Sequence, residues 1–402
     1  MEFDVLHERE ALKLILQGSG PWNDFFKENE NTHIKLDNID FDLEKLKEKY
    51  VNDTEITELL NLARSISFSH FIFNDKTTFT KSNFYSYANF QHTQFRGDVN
   101  FQGVTFHKCV NFRGATFSGT TFFNKAIFKS KLDCSNAVFE KDLNLMLEDD
   151  SASKDIASSQ PREIVFYKAI FNESVHFDNT NKEGVRVDKL SFQGASFAKI
   201  LELKGDFDCV PDLRLTKTSH HVDLSQLNVK LRRTAKICCF RKPVETEDAE
   251  CLCRLKEIAE SNKKHKKALA FHADEQRARR WGELNSLQSL LDKLFSITSN
   301  YGQSILKPFC LLLISISLFV LFNWVQTNDS KLKHRFEKSL TLSVALSTPF
   351  ISLSKGTKQE AQKSLYPDGV PDYYTLFGYT HSGVSYLSIF LFGLGLRNRF
   401  KL

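Results

Sequence analysis

Apolar positions along the chain fall into three rhythms. Over residues 1 to 66 they sit at helical spacings, at Leu6, Leu12, Leu14 and Ile15 and again in the string PWNDFFKEN. The rhythm then changes. Phenylalanine returns in steps of five and six residues at Phe68, Phe73, Phe79, Phe84, Phe90, Phe95, Phe101, Phe106, Phe112, Phe117, Phe123 and Phe128. Two places before most of these stands a small or β-branched residue, as at Ala88, Thr93, Val99, Val104, Val110, Ala115, Thr121 and Ala126. Helices repeat every ~3.6 residues and half-buried strands every two, so neither produces this spacing. So short a period predicts stacked coils, each burying its aromatic against the coils above and below. Five alternating with six gives 22 residues per coil, with the extra residue expected to bulge at a corner. After a polar interruption, EDDSASKDIASSQPRE, the spacing resumes at Phe166, Phe171, Phe177, Phe192, Phe197 and Leu203.

Residues 208–245 lose this spacing, and AECLCRLKEIAESNKKHKKALAFHADEQRARRW returns to a helical, strongly basic pattern. Leu252, Leu255, Ile258 and Ala259 share one face, and Ala268, Phe271 and Glu275 lie on the next helix. From Phe309 to Val325 the chain is nearly all apolar; with Leu306 and Gln326 it is long enough to cross a bilayer. A second stretch, YYTLFGYTHSGVSYLSIFLFGLGL, is followed by Arg397, Arg399 and Lys401. Between the two, an apolar segment beginning at Leu340 is too short to cross and predicts a re-entrant or interfacial helix. Basic residues crowd before the first span (Arg277, Arg279, Arg280, Lys293, Lys307) and close the second, which by the positive-inside rule predicts both ends in the cytoplasm.

The string ANFQHTQFRGDVNFQGVTFHKCVNFRGATF resembles the pentapeptide-repeat family in its Phe-centred branch. That resemblance implies a right-handed quadrilateral β-helix. LILQGSGPWNDFFKENENTHIKLDNIDF is similar to the segment leading into the first coil of many bacterial pentapeptide proteins, and implies a helical cap over the Phe rungs and strand edges. The pattern RLK-I-A followed by A-x-x-F-x-x-E resembles membrane-anchored members and implies a helical hairpin at the bilayer surface. The closing FLFGLGLRNRFKL resembles the end of channel-like membrane domains in this family. The expected fold is therefore mixed. A helical cap covers 1–66 and a pentapeptide-repeat solenoid 67–207, with a polar insertion near 148–163. A connector covers 208–247, and a basic helical hairpin with a juxtamembrane helix 248–305. A two-span α-helical membrane domain covers 306–402, with spans at about 306–326 and 374–396 and a re-entrant helix at about 336–353.

Composition adds less. A length of 402 residues predicts two or three parts, and a net charge of +5 is modest. The N-terminus MEFDVLHEREALK is too polar for a signal peptide, so the eight cysteines are expected as thiols in a reducing compartment. Cys238, Cys239, Cys251 and Cys253 cluster near His220 and His221; zinc is the one cofactor they suggest, against ligand spacings that fit a structural zinc site poorly. No Walker, nucleophile-elbow, zincin or Rossmann motif is present, and the inward positions are filled by Phe, so no enzyme activity is expected.

Lys263, Lys264, Lys266, Lys267, Arg277, Arg279 and Arg280 are candidates for anionic lipid headgroups. No aromatic platform interleaves with them, so nucleic acid is not expected. DNA mimicry needs an acidic surface, whereas Phe68 to Leu145 holds nine Lys or Arg against five Asp or Glu.

For a pore, STPFISLS lacks a potassium-filter sequence, while Ser343, Ser347 and Thr348 at helical spacing, with His381, are candidate pore-lining groups. Gly378, Gly383, Gly393 and Gly395 favour close helix packing. These features together predict a multi-pass bacterial inner-membrane protein, ion-channel-like, with a cytoplasmic repeat domain that senses or binds an unknown cytosolic protein. It would be a homo-oligomer, a tetramer by analogy, serving as a regulated ion leak or a phage-defence effector. The alternative is a non-conducting, membrane-anchored scaffold that recruits partners through the β-helix.

Overall fold

A computed structural model describes residues 5–148, 162–180, 185–237, 240–326, 332–348, 354–367 and 369–400. The chain divides into two compact units, Met1–Ala278 and Arg279–Leu402, taken separately below.

The first unit is a parallel β-helix with four walls. Two-residue strands at Ile72–Phe73, Thr77–Thr78, Asn83–Phe84 and Ala88–Asn89 make one complete coil. Each pairs in parallel with the strand 22 residues on: Phe73 with Phe95, Thr77 with Val99, Phe84 with Phe106 and Ala88 with Val110. The 22-residue period is therefore the pairing register itself. The rings stack in columns at the coil spacing, Phe68 to Phe90 at 4.7 Å, Phe79 to Phe101 at 5.0 Å, Phe95 to Phe117 at 5.0 Å and Phe84 to Phe106 at 5.0 Å. These separations match the ~4.8 Å between hydrogen-bonded strands, so one vector satisfies both the backbone ladder and the ring stack.

Two kinds of corner alternate. Within each five-residue step, the amide three residues after the Phe bonds back to its carbonyl, as Ser82 to Phe79 and Thr93 to Phe90. The third residue of that turn takes the left-handed conformation, at His70, Lys81, His92, Gly103, Gly114 and Lys125. Each six-residue step turns through three residues, such as 74–76, and carries the extra residue. At two of these steps successive coils approach closely: a Cβ on Gly97 would stand 2.5 Å from the Asp75 carbonyl carbon, and one on Gly119 2.4 Å from that of Gly97.

Among the described residues, Ile127–Phe128 is the last strand of the fourth wall, with Ala126 bridged in parallel to Leu147. Afterwards Phe139 pairs with Phe171 and Phe171 with Phe197, ten and four residues beyond the regular period. Pairing also begins earlier and ends later than the Phe spacing indicates. Ile34 pairs with Thr77 and Phe41 with Phe84, so 1–66 contains half a coil as well as helices. At the other end Leu227–Val229 pairs with the strand Leu201–Phe207, well beyond residue 207. There Leu213 and Leu224 take the place of Phe in the core.

Both ends are closed by helices. Four are N-terminal: α1 (Glu8–Gln17), α2 (Ser19–Glu28), α3 (Leu43–Lys49) and α4 (Thr54–Leu62). On α2, Trp22 is fully buried and its indole N–H donates to the Ile72 carbonyl at 2.9 Å. Beside it the Asn23 side chain accepts from the Ile72 amide (2.8 Å) and donates to the His70 carbonyl (3.0 Å). The Trp-Asn pair thus substitutes for the strand that the first rung lacks, which blunts an open edge. At the far end α5 (Asp248–Ser261) and α6 (His265–Arg279) form the expected hairpin. Its apolar face, Leu252, Leu255, Ile258, Ala259, Ala268 and Phe271, belongs to the same core as the coils. Asn262 Nδ2 donates to the Val222 carbonyl at 2.7 Å, and the Arg254 guanidinium to the Thr216 carbonyl at 3.2 Å. The apolar face of the hairpin covers the last coils and is not available to a bilayer, because burying it closes an otherwise open solenoid end.

The second unit comprises α7 (Ser286–Ser299), α8 (Leu306–Gln326), α9 (Leu332–Ser347), α10 (Ser354–Leu365) and α11 (Asp372–Phe400). α8 and α11 run antiparallel along their lengths. At one end Asn398 Nδ2 donates to the Gly302 carbonyl (3.0 Å); at the other the Tyr373 hydroxyl donates to Gln326 Oε1 (2.9 Å). α9 starts beside the C-terminal end of α8, where Arg335 donates to the Trp324 carbonyl, and its last turn reaches the level of Ser315, midway along α8. α10 leads back, and Tyr366 just after it donates to Asn323 Oδ1 at 3.0 Å. Where the sequence predicts one re-entrant or interfacial helix at about 336–353, the structure has two helices, α9 and α10. Among the described residues only α8 is both long and apolar enough to cross a membrane by composition; α11 has the length without the hydropathy.

Candidate functional site

Polar side chains in the second unit converge where α8, α9 and α11 meet. Ser339, Ser343 and Ser347 lie four residues apart and share one face of α9; all three are buried. His381, Ser385 and Ser388 form the matching stripe on α11, also buried. His381 is the hub. Its Nε2 lies 3.0 Å from the Ser343 carbonyl oxygen and 3.1 Å from Ser347 Oγ, and its Nδ1 lies 2.8 Å from Ser315 Oγ. A carbonyl can only accept, so Nε2 carries a proton, while Nδ1 and the Ser315 hydroxyl can share their bond in either direction. The ring stacks on Phe319 at 4.6 Å. Ser347 Oγ reaches Ser385 Oγ at 3.1 Å, and Ser382 donates to the Leu346 carbonyl at 3.3 Å.

Small hydroxyls at these positions do two things. They let the helices approach closely, and they supply groups that both donate and accept, so the cluster can exchange partners with water or an ion.

Of the sequence-derived candidates, the structure brings Ser343, Ser347 and His381 together. Thr348 stays apart, its hydroxyl bonded to the Val344 carbonyl one turn back at 2.9 Å. Ser315 and Ser385 complete the cluster without having been singled out; a lone serine in an apolar run carries no spacing signal, although extending the 343/347 step backward reaches Ser339.

The lipid-headgroup candidates separate. Lys263, Lys264 and Lys266 are exposed. Lys267 donates to the Leu227 carbonyl at 2.6 Å, and burial together with Lys266 holds its pKa below the ordinary lysine value. Arg277 pairs with Asp274 (2.6 Å) and Arg279 with Glu283 (3.7 Å). Arg280 is buried, bonded to Asp292 at 2.5 Å and to the Tyr301 hydroxyl at 2.7 Å. It anchors the start of the second unit, so it is unavailable to headgroups.

For the suggested zinc set, Cys238 and Cys239 lie outside the described residues. Cys251 and Cys253 are two positions apart on α5, which turns their thiols to different sides of the helix. Among the described residues, no three metal-ligating groups converge.

A family model described as pentapeptide repeats (9 copies) matches residues 101–145, within the four-walled part of the solenoid. No curated protein and no solved structure matches the chain. The chain therefore carries pentapeptide repeats folded as a β-solenoid of about six turns, with helices at both ends.

Proposed function

We propose that residues 279–402 are a membrane domain in which α8 and α11 cross the bilayer and α9 with α10 re-enters it, assembling as a homo-oligomer around an ion path. The β-helix would be its partner-binding or sensing part, on the cytoplasmic side of a bacterial inner membrane. One observation carries this reading, the inverted distribution of polarity. Leu313, Ile314, Leu318 and Val325 on α8, with Leu376, Leu387 and Phe390 on α11, are exposed, while Ser343, Ser347, Ser385, Ser388, Asn323 and His381 are buried. In water such a surface favours aggregation; in lipid it is the expected exterior. α8, at ~1.5 Å per residue, measures about 31 Å, the thickness of a hydrocarbon core. Its midpoint carries Ser315, so the hydroxyl and imidazole cluster falls at mid-depth.

Two further features favour an oligomer. Gly378, Gly383 and Gly393 have room for a Cβ or more inside the protomer, so internal packing does not require them. α10 is polar, SKGTKQEAQKSL, and polar backbone and side chains at membrane depth need protein or water around them.

The test is ion flux from liposomes holding the full-length protein, beside Ser347→Phe, with mass photometry reporting the oligomer. Flux lost in the variant while the oligomer persists supports conduction through the cluster. No flux from an intact oligomer across potentials and pH moves the assignment to the membrane-anchored scaffold.

A further inference from the structure

A cleft of about 630 Å³ opens between α9, α10 and α11. One wall is apolar or small, with Leu346, Val370 and Gly378; the other is the face of α10 that presents Lys355, Lys358 and Gln362. Steps of three and four residues keep these three side chains on one side of the helix. Among the described residues, no Asp or Glu lines the cleft and neither lysine has an ion-pair partner. Two like charges facing one partly enclosed cavity repel each other, and low-dielectric walls strengthen that repulsion. A small anion between them removes it; a cation adds to it. Ser382 also lines the cleft; its neighbour His381 and its acceptor, the Leu346 carbonyl, both belong to the polar cluster.

We propose that this cleft is an anion site: Lys355 and Lys358 hold a small inorganic anion or the headgroup of an anionic lipid, and bias the ion path toward anions. The site stands on the cavity and its charges. The bias on permeation rests on the conducting reading given above.

Two measurements on the full chain separate these. In liposomes under a KCl gradient, the reversal potential is expected to show chloride preferred over potassium by about tenfold, the effect of one or two partly screened charges at ~10 Å. Lys355→Glu with Lys358→Glu is expected to invert that preference. In detergent at constant ionic strength, inorganic phosphate or chloride is expected to raise the melting temperature saturably, and Lys355→Gln with Lys358→Gln to abolish the rise. If a headgroup is the occupant, the rise appears instead in nanodiscs containing phosphatidate relative to phosphatidylcholine, again only with both lysines present. Absence of flux with a lysine-dependent rise removes the conduction reading and leaves the anion site standing. An equal response of wild type and the Gln pair to every anion source overturns the site. Cation-selective flux that the Glu pair does not alter overturns the bias.

Discussion

Truncating Phe101 to alanine asks how much of the solenoid's stability resides in the ring columns. Phe101 is fully buried, with parallel rings 5.0 Å below (Phe79) and 4.9 Å above (Phe123), and edge contacts to Phe90 at 5.9 Å and Phe112 at 5.5 Å. Loss of a buried Phe side chain costs ~3–5 kcal/mol in transfer and cavity terms. Because two stacked pairs, each ~0.5–1.5 kcal/mol, disappear together, the upper end of that range is expected, about 5 kcal/mol. Phe197 provides the internal standard, since it stacks only on Phe171, at 4.9 Å, and ends its column. Its truncation should cost about 1 kcal/mol less. Phe101→Leu retains most of the volume and should cost about 1–2 kcal/mol. Hydrogen exchange by mass spectrometry across a urea series, on the full chain, reads these values coil by coil. Solenoids couple nearest neighbours, so amides between residues 77 and 123 should lose protection first, and those of 201–207 later. A cost below about 2 kcal/mol for Phe101→Ala would refute the argument and assign the stack's cohesion to its backbone ladders.

The end cap and one buried acid give two further tests. Asn23→Ala leaves the Ile72 amide and the His70 carbonyl without their side-chain partners; the expected cost is ~1–3 kcal/mol, seen as faster exchange at Ile72 with Phe95 unchanged. Asp248, at the start of α5, has its carboxyl pushed up to about 6 by burial, with Glu245 adding to the shift and Arg232 opposing it. Folding therefore favours its protonated form. That contribution is complete below about pH 4 and is lost as pH rises through 6, up to roughly 3 kcal/mol by the shift from the ordinary Asp value. Asp248→Asn should raise the urea midpoint of the first unit above pH 6 and flatten its dependence between pH 4 and 6. An unchanged midpoint at pH 7 would show that the carboxylate is solvated in the folded state.

Much of the solenoid is legible in the sequence because a buried ring column admits few substitutes, so Phe73, Phe95 and Phe117 announce their own register. Its ends are less legible. Leu213 and Leu224 fill the same column positions with a residue common everywhere, and the half coil at Ile34 to Phe41 is separated from its neighbour by α3 and α4. The tight corner is visible where it is glycine, at Gly103 and Gly114, and hidden where His70, Lys81 or Lys125 adopts the same left-handed geometry. The hairpin's apolar stripe could be read, but not what it would cover, because the coils it packs on have no Phe spacing. In the second unit, Ala361 and Leu365 are the buried side chains of α10 among the described residues, too few to make a stripe. His381 stood out as the titratable group in an apolar stretch, whereas Ser315 acquires meaning only from the ring beside it.

Strands that lie across the stack, with their hydrogen bonds along it, also give the β-helix a directional mechanical response. Tension applied along the axis loads the bonds of one coil at a time, so the structure peels from an end rather than shearing as a whole. Each released coil of 22 residues frees about 70 Å of extended chain. Force across the axis meets all the coils at once. The Trp22–Asn23 clasp and the α5–α6 lid close the two ends from which peeling must start, so they act as latches setting the force at which the first coil yields.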